Sequence, residues 1–262
     1  MASPAWDEWA PWLADRAGEL SASVLFLTRL PLPRHAPAGD THKTLARAAW
    51  AFPLTGFVVG LIGAVAYAVA HRLVLFAWPA AALTVAATLL ATGALHEDGL
   101  ADTADGFGGG DTRQRKLDIM RDSRIGSYGV CALTVSILIR ADAIASLTDA
   151  GLVAAALIAA HSGARAAVAA VMALVAPARS DGLAFDAGQP SAQRAGIAVA
   201  IGFLIVLFCL GPGHAVVAAI AVAIAVALLA WLSLRQIGGQ TGDVLGAVEQ
   251  VSEIVILLVA LR

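Results

Sequence analysis

Long blocks of apolar residues separated by short polar stretches set the pattern of this chain. A bilayer core about 30 Å thick is crossed by about 20 apolar residues in helical form, and blocks on that scale fall at 49–70, 73–95, 129–147, 152–177, 195–210, 215–234 and 245–261. They predict an all-α, polytopic integral membrane protein with about seven transmembrane helices. The block at 195–210 is short and the last carries Glu249 and Glu253, so a re-entrant course is open for either. Residues 1–48 read as an N-terminal interfacial or re-entrant segment. Within it Trp6, Trp9 and Trp12 recur at helical spacing, as in an amphipathic helix lying among lipid headgroups, although a simple packing helix has the same pattern. The apolar run at 24–30 is too short to span and is stopped by Pro31 and Pro33. No internal repeat or low-complexity tract divides the chain, and 1–262 is expected to form one domain.

Composition agrees with lipid as the solvent. The chain is 59% hydrophobic and 14% charged, with a mean hydropathy of +0.80, outside the range of soluble globular domains. Net charge is −2 and the basic residues are scattered, which argues against a nucleic-acid-binding surface. Cys131 and Cys209 fall in apolar blocks and are expected to be small buried hydrophobes rather than disulfide halves. The first residues carry Asp7, Glu8 and Asp15 without a basic run, so no secretory signal peptide is expected. With a cytoplasmic N-terminus, the loop residues Arg16, Arg29, Arg34, Lys43, Arg47, Arg113, Arg115, Lys116, Arg121, Arg124, Arg179, Arg194 and Arg235 share one side, leaving Arg72 and Arg262 opposite. The positive-inside bias then places the longest polar loop, 96–128, and the segment 236–243 in the cytoplasm.

The loop at 96–128 holds the densest chemistry. It opens with His96-Glu97-Asp98 and continues to Asp102 and Asp105, putting three aspartates at i, i+4 and i+7, within about 60° of one another on a helix. Like charges so placed destabilise a helix unless a cation lies between them, and hard carboxylate oxygens with a partner phosphate suit Mg²⁺. A solvated acidic face is the bland alternative. The glycines at 106 and 108–110 could admit a phosphate or serve as a hinge, and no P-loop motif follows them. Asp118, Arg121, Asp122, Ser123 and Arg124 close the loop. Guanidinium forks fit phosphate oxygens, or anchor the loop through local ion pairs. Farther on, Gly238-Gly239-Gln240-Thr241-Gly242-Asp243 leads into a helix bearing Glu249 and Glu253. Ionisable groups at membrane depth are costly and tend to mark a site. His161 with Arg165 and Arg140 with Asp142 are further intramembrane pairs; mutual pairing is the simpler reading of Arg140 with Asp142, and a catalytic His161 is the less favoured one.

Four ordered segments carry a resemblance. Phe26-Leu27-Thr28-Arg29-Leu30-Pro31-Leu32-Pro33, then 96–106, 119–129 and 239–249, resemble the signatures of the cobalamin synthases, the adenosylcobinamide-GDP ribazoletransferases that finish the nucleotide loop of vitamin B12. The resemblance runs almost end to end, with Glu97 standing where an apolar residue is expected in many members. It implies a Mg²⁺-dependent transferase of the bacterial inner membrane, its active site facing the cytoplasm. In the implied reaction the 3′-hydroxyl of α-ribazole, or of its 5′-phosphate, attacks the phosphate joined to the aminopropanol of adenosylcobinamide-GDP and releases GMP. Asp98, Asp102 and Asp105 are the implied metal ligands, joined by Asp122 and Asp243 if a second ion is held. A carboxylate of this set, Asp122 included, or His96 is the implied general base. Arg121, Ser123 and Arg124, with Arg29, Asp243 and Glu249, are the implied substrate contacts. The implied partners are the two substrates and membrane lipid, with no nucleic acid; a homo-oligomer or association with other cobalamin-assembly enzymes is left open.

Two other classes fit parts of the pattern. A CDP-alcohol phosphotransferase or an aromatic prenyltransferase also holds Mg²⁺ on aspartates at helix ends, but the Ala-Arg pair of the first and the Asn-Asp opening of the second are absent here. A secondary transporter would line a path with Arg140, His161, Arg165, Glu249 and Glu253, yet the richest polar clusters lie at span ends and no broken helices pair in matching halves.

Overall fold

The computed structural model describes residues 6–32, 41–73, 76–147 and 149–262, and side chains from residue 11 onward except 41–44. The indoles of Trp6 and Trp9, the side chain of Lys43, and Pro33 and Arg34 as a whole lie outside what is described. The described residues form helices with no strand, apart from one isolated bridge between Pro177 and Gln240.

Helix α1 spans Trp6–Leu27. Its last turns are the apolar run expected at the membrane surface, yet Val24 and Leu27 are buried. Glu19, also buried, explains the docking: it accepts Trp50 Nε1–H at 2.7 Å and pairs with Arg16 at 2.7 Å, Arg47 at 3.2 Å and Arg194 at 3.1 Å. A short α2 (Thr41–Ala48) passes through a tight turn into α3 (Phe52–Arg72), with Pro53 in its first turn where no N–H is missed. α4 (Ala77–Thr92) stops at Gly93 and Ala94, both left-handed, and α5 (Leu95–Gly109) departs at 92°. α6 (Arg113–Ile119) lies in the polar loop, α7 is Ser127–Leu147 and α8 is Ala150–Leu174. After α9 (Leu183–Ala187) come α10 (Ala192–Ile237) and α11 (Gly242–Ala260).

α8 is the central post, 72% of its apolar window being buried. Its alanines let neighbours approach: Gly56 and Gly60 of α3 sit on the backbone of His161 and Ile158, and Gly202 of α10 sits on Ala166. Close backbone approach through small residues is how helices associate where lipid removes the hydrophobic drive. α10 turns back at Gly211, whose φ of 79° is followed by Pro212. One cavity of about 220 Å³ is lined by Val199, Gly202 and Val206 before that turn and by Ala215, Val222 and Val226 after it, so the two arms lie side by side. They correspond to the blocks at 195–210 and 215–234.

Among the described residues four helices are long and apolar enough to cross a membrane: 45–72 continuous with α3, α7, α8 and α10; a fifth is reached if α4 and α5 are taken as one bent span. That fits a polytopic membrane protein. The expected seven is not reached on this measure, because the two arms of α10 count as one helix, α4 has 16 residues and α11 carries Asp243, Glu249 and Glu253 within 19. The two cysteines are free, as expected of thiols in apolar blocks, but Cys131 is exposed on the outside of the bundle rather than buried.

Candidate active site

The acidic face of α5 is positioned by a glycine pair. Gly99 of α5 lies against Gly246 and Asp243 of α11 so closely that a Cβ on Gly99 would stand 2.7 Å from the Asp243 carbonyl oxygen and 3.0 Å from the Gly246 Cα. This contact brings the head of α11 to the aspartates. Asp98 is exposed and Asp102 half-buried, and the charges of Asp98, Asp243 and Asp105 all bear on Asp102. Asp243 accepts the Thr241 hydroxyl at 3.1 Å. Burial pushes its carboxyl above the usual range, and the positive charge of Arg179, 3.9 Å away, offsets part of that rise.

Asp105, the third of the row, turns inward. Its Oδ2 accepts Gly126 N–H at 2.7 Å and its Oδ1 accepts Gly129 N–H at 2.9 Å, so it closes the start of α7. Both partners have to be glycines, since a Cβ at either would collide with this carboxylate. Asp105 therefore buttresses the loop, in contrast to the expectation of a third ligand equivalent to Asp98 and Asp102.

Beyond Asp105 opens a cavity of about 290 Å³ lined by Arg115, Asp118, Asp122, Arg124 and Tyr128. Arg124 donates to Asp122 at 2.6 and 3.0 Å and holds that carboxyl at about 2. Ser123 is exposed on the same turn. Arg121 does not face this cavity's aspartates; its Nη2 grips Asp181 at 2.5 and 2.6 Å. Arg29 lies over Gly93 at the bend into α5, and its backbone N–H donates to Ala91 O at 2.7 Å.

Below the rim, α5, α7, α8 and α11 share a buried ionic network. Arg165 meets Glu249 at 2.6 Å, and Arg140 meets Glu97 at 3.0 Å and Glu253 at 3.3 Å. Gln250 donates to Glu249 at 2.9 Å and to Glu97 at 3.1 Å, and accepts from Ser136 at 3.0 Å. His96 and His161 border it, 3.8 Å from Glu249 and 3.5 Å from Glu253 respectively. Three expectations change here. Glu249, expected among the substrate contacts, is fully buried against Arg165; His96 faces this network rather than the aspartate row; and Arg140 pairs with Glu97 and Glu253 while Asp142 is exposed. His161, Glu249 and Glu253 bring ligand atoms within 4.8 Å of one another. Both carboxylates already face guanidinium groups, and the space among these side chains admits no water molecule, so the group reads as a brace between helices rather than an open metal centre.

The comparisons with known proteins decide the family. The profile of the cobalamin-5-phosphate synthases matches residues 19–261. The chain belongs to the cobalamin-5-phosphate synthase family. It is 55% identical over 242 residues to the adenosylcobinamide-GDP ribazoletransferase of Bradyrhizobium diazoefficiens and 52% identical to that of Mesorhizobium japonicum, in each case covering 92% of both chains. The Xanthobacter autotrophicus protein of the same name is 51% identical over 92% of this chain and 95% of its own. No solved structure matches. Membership makes the chain an enzyme of the transferase class, in cobalamin biosynthesis.

The structure thus gathers Asp98, Asp102 and Asp243 at one rim, with Asp105 behind them and the Asp122–Arg124 pair in the adjoining cavity. Sequence reasoning missed Arg179, counted only among the basic loop residues, and Asp181, and missed Glu97 as the partner of Arg140.

Proposed function

We propose that the chain is an adenosylcobinamide-GDP ribazoletransferase acting at the cytoplasmic rim of a bacterial inner membrane. The observation that carries this reading is the convergence of Asp98, Asp102 and Asp243 beside the guanidinium of Arg179 in a chain of this family. Carboxylates that repel one another at a half-open rim are a hard-oxygen donor set suited to Mg²⁺, and Asp98, Asp102 and Asp243 would hold it. Bound there, Mg²⁺ would neutralise charge on the substrate's diphosphate oxygens. The residues of the chain do the rest by position. The rim orients the diphosphate for in-line displacement; the ribazole hydroxyl oxygen forms the new bond to the phosphorus joined to aminopropanol, the bond to the GMP oxygen breaks, and a rim carboxylate takes the hydroxyl proton. Buried against Arg165, His96 is no longer a candidate for that base. The positive-inside distribution of loop Lys and Arg supports the cytoplasmic placement.

Single replacements test the assignment. Asp98→Asn, Asp102→Asn and Asp243→Asn should each lower GMP release by about 100-fold, on the scale of removing one group that stabilises a transition state, and raise the Mg²⁺ concentration needed for half-activity. Turnover at the wild-type rate in all three would dismiss the rim as the site.

A further inference from the structure

The glycine-rich segment before α11 does more than end α10. Gly238 takes a φ of 77° that favours glycine, and Gly239 lies so close to the segment after α8 that a Cβ would stand 2.5 Å from the Ala176 carbonyl oxygen. The two segments then pair like a scrap of parallel sheet: Ala178 N–H donates to Gln240 O at 2.7 Å and Gln240 N–H to Ala176 O at 2.9 Å. Arg113 fastens the same corner by donating to Ala178 O at 2.5 Å and to Ile237 O at 2.7 Å. The residue that follows this clamp is Arg179.

Clamping fixes the Arg179 guanidinium over the head of α11. Nη2 stands 3.9 Å from Asp243 and Nε stands 3.7 Å from Asp181, both beyond hydrogen-bond range. Nε and Nη1 are out of solvent and have no hydrogen-bond partner among the described residues. Buried N–H donors left without an acceptor are costly, and guanidinium matches the paired oxygens of a phosphate. Gly182, at a φ of 86°, lets the guanidinium pack closely against the chain, since a Cβ there would lie 3.2 Å from Nη2. Beneath it, α11 is a 19-residue helix whose N-terminus, capped by Thr241, carries the positive end of the helix dipole. Asp181, which could have satisfied Arg179, is instead gripped by Arg121.

From these contacts we infer that Arg179 and the N-terminus of α11 form a phosphate-oxygen subsite facing Asp243. This rests on the proposed reaction and deepens it: the diphosphate is held on one side by the aspartate rim and on the other by Arg179, while Arg121 acts as a positioning residue that occupies Asp181 and leaves Arg179 with only long ion pairs to Asp181 and Asp243 and no hydrogen bond to either.

The test is titration of detergent-purified full-length protein with GDP in the presence of Mg²⁺, and with Mg²⁺ alone, for wild type, Arg179→Gln and Arg179→Lys, with a thermal melt of each. A subsite predicts that R179Q binds GDP at least about tenfold more weakly, that R179K falls between, and that Mg²⁺ binding without GDP is unchanged or tighter because a positive charge beside Asp243 has gone. GDP bound equally by all three overturns the subsite and leaves the proposed reaction standing. Folded wild type that binds no GDP contradicts the reaction itself. If R179Q loses its melting transition, R179K decides alone, and wild-type GDP affinity in R179K overturns the inference.

Discussion

Gly99→Ala is the change that tests how the rim is built. The new Cβ would stand 2.7 Å from the Asp243 carbonyl oxygen, 3.0 Å from its Cα and 3.0 Å from the Gly246 Cα. All three are backbone atoms and none can rotate aside. Ordinary contact begins at 3.4 Å, so going from 2.7 to 3.4 Å obliges α5 and α11 to part by 0.7 Å where the aspartates meet. Overpacking of this kind costs about 1–3 kcal/mol, and the better helix propensity of alanine returns about 1 kcal/mol, so the protein should fold with its stability lowered by about 0–2 kcal/mol. Activity should suffer more. A misplacement near 1 Å costs about 100-fold in a positioned reaction, so turnover by G99A should fall by about 10- to 100-fold. The assay is GMP release across an Mg²⁺ titration, with a thermal melt to show folding. Gly109→Ala is the control, because its Cβ would meet only Ile119 at 3.5 Å, and it should behave as wild type. Folded G99A with wild-type turnover and Mg²⁺ dependence would refute the claim that this glycine contact sets the site.

Other outcomes follow from the same contacts. Arg140→Gln leaves Glu97 and Glu253 buried without their shared cation, and denaturation in detergent should show a loss of about 3–5 kcal/mol. Asp105→Asn cannot accept both Gly126 and Gly129 N–H through charged oxygens; it should loosen the loop, read as faster proteolysis near Arg121–Ile125, and cost about 1.5–3 kcal/mol for a hydrogen bond to a charged group. Asp122 titrates at about 2 in the folded chain because Arg124 binds it. What that lowered value contributes is present above the ordinary value of about 3.9 and disappears as pH falls through about 2, so Asp122→Asn should leave the neutral-range pH profile of turnover unchanged in shape.

Much of this was legible in the chain because lipid imposes a simple ruler. The apolar blocks found α3, α7 and α8, and the two blocks around Gly211 anticipated the arms of α10. The i, i+4, i+7 aspartates lie on one helix as spacing requires, but spacing is blind to depth: the row runs from exposed Asp98 to buried Asp105, and only the positions of Gly126 and Gly129 reveal why. Glu249 and Glu253 prove buried in the bundle, yet their partners come from α5, α7 and α8, which no local pattern connects. Arg179 was invisible for a related reason. Its setting depends on the pairing of residues 176–178 with Gln240, more than 60 positions away.

The most direct measurement is GMP release and cobalamin formation by the wild-type protein in lipid vesicles supplied with adenosylcobinamide-GDP and α-ribazole, with Mg²⁺ and with a chelator. Product formed with Mg²⁺, abolished by chelator and restored when Mg²⁺ is returned is the predicted result. Equal product in both conditions would contradict the aspartate rim as a metal site, and no product from folded protein in either would contradict the assigned reaction.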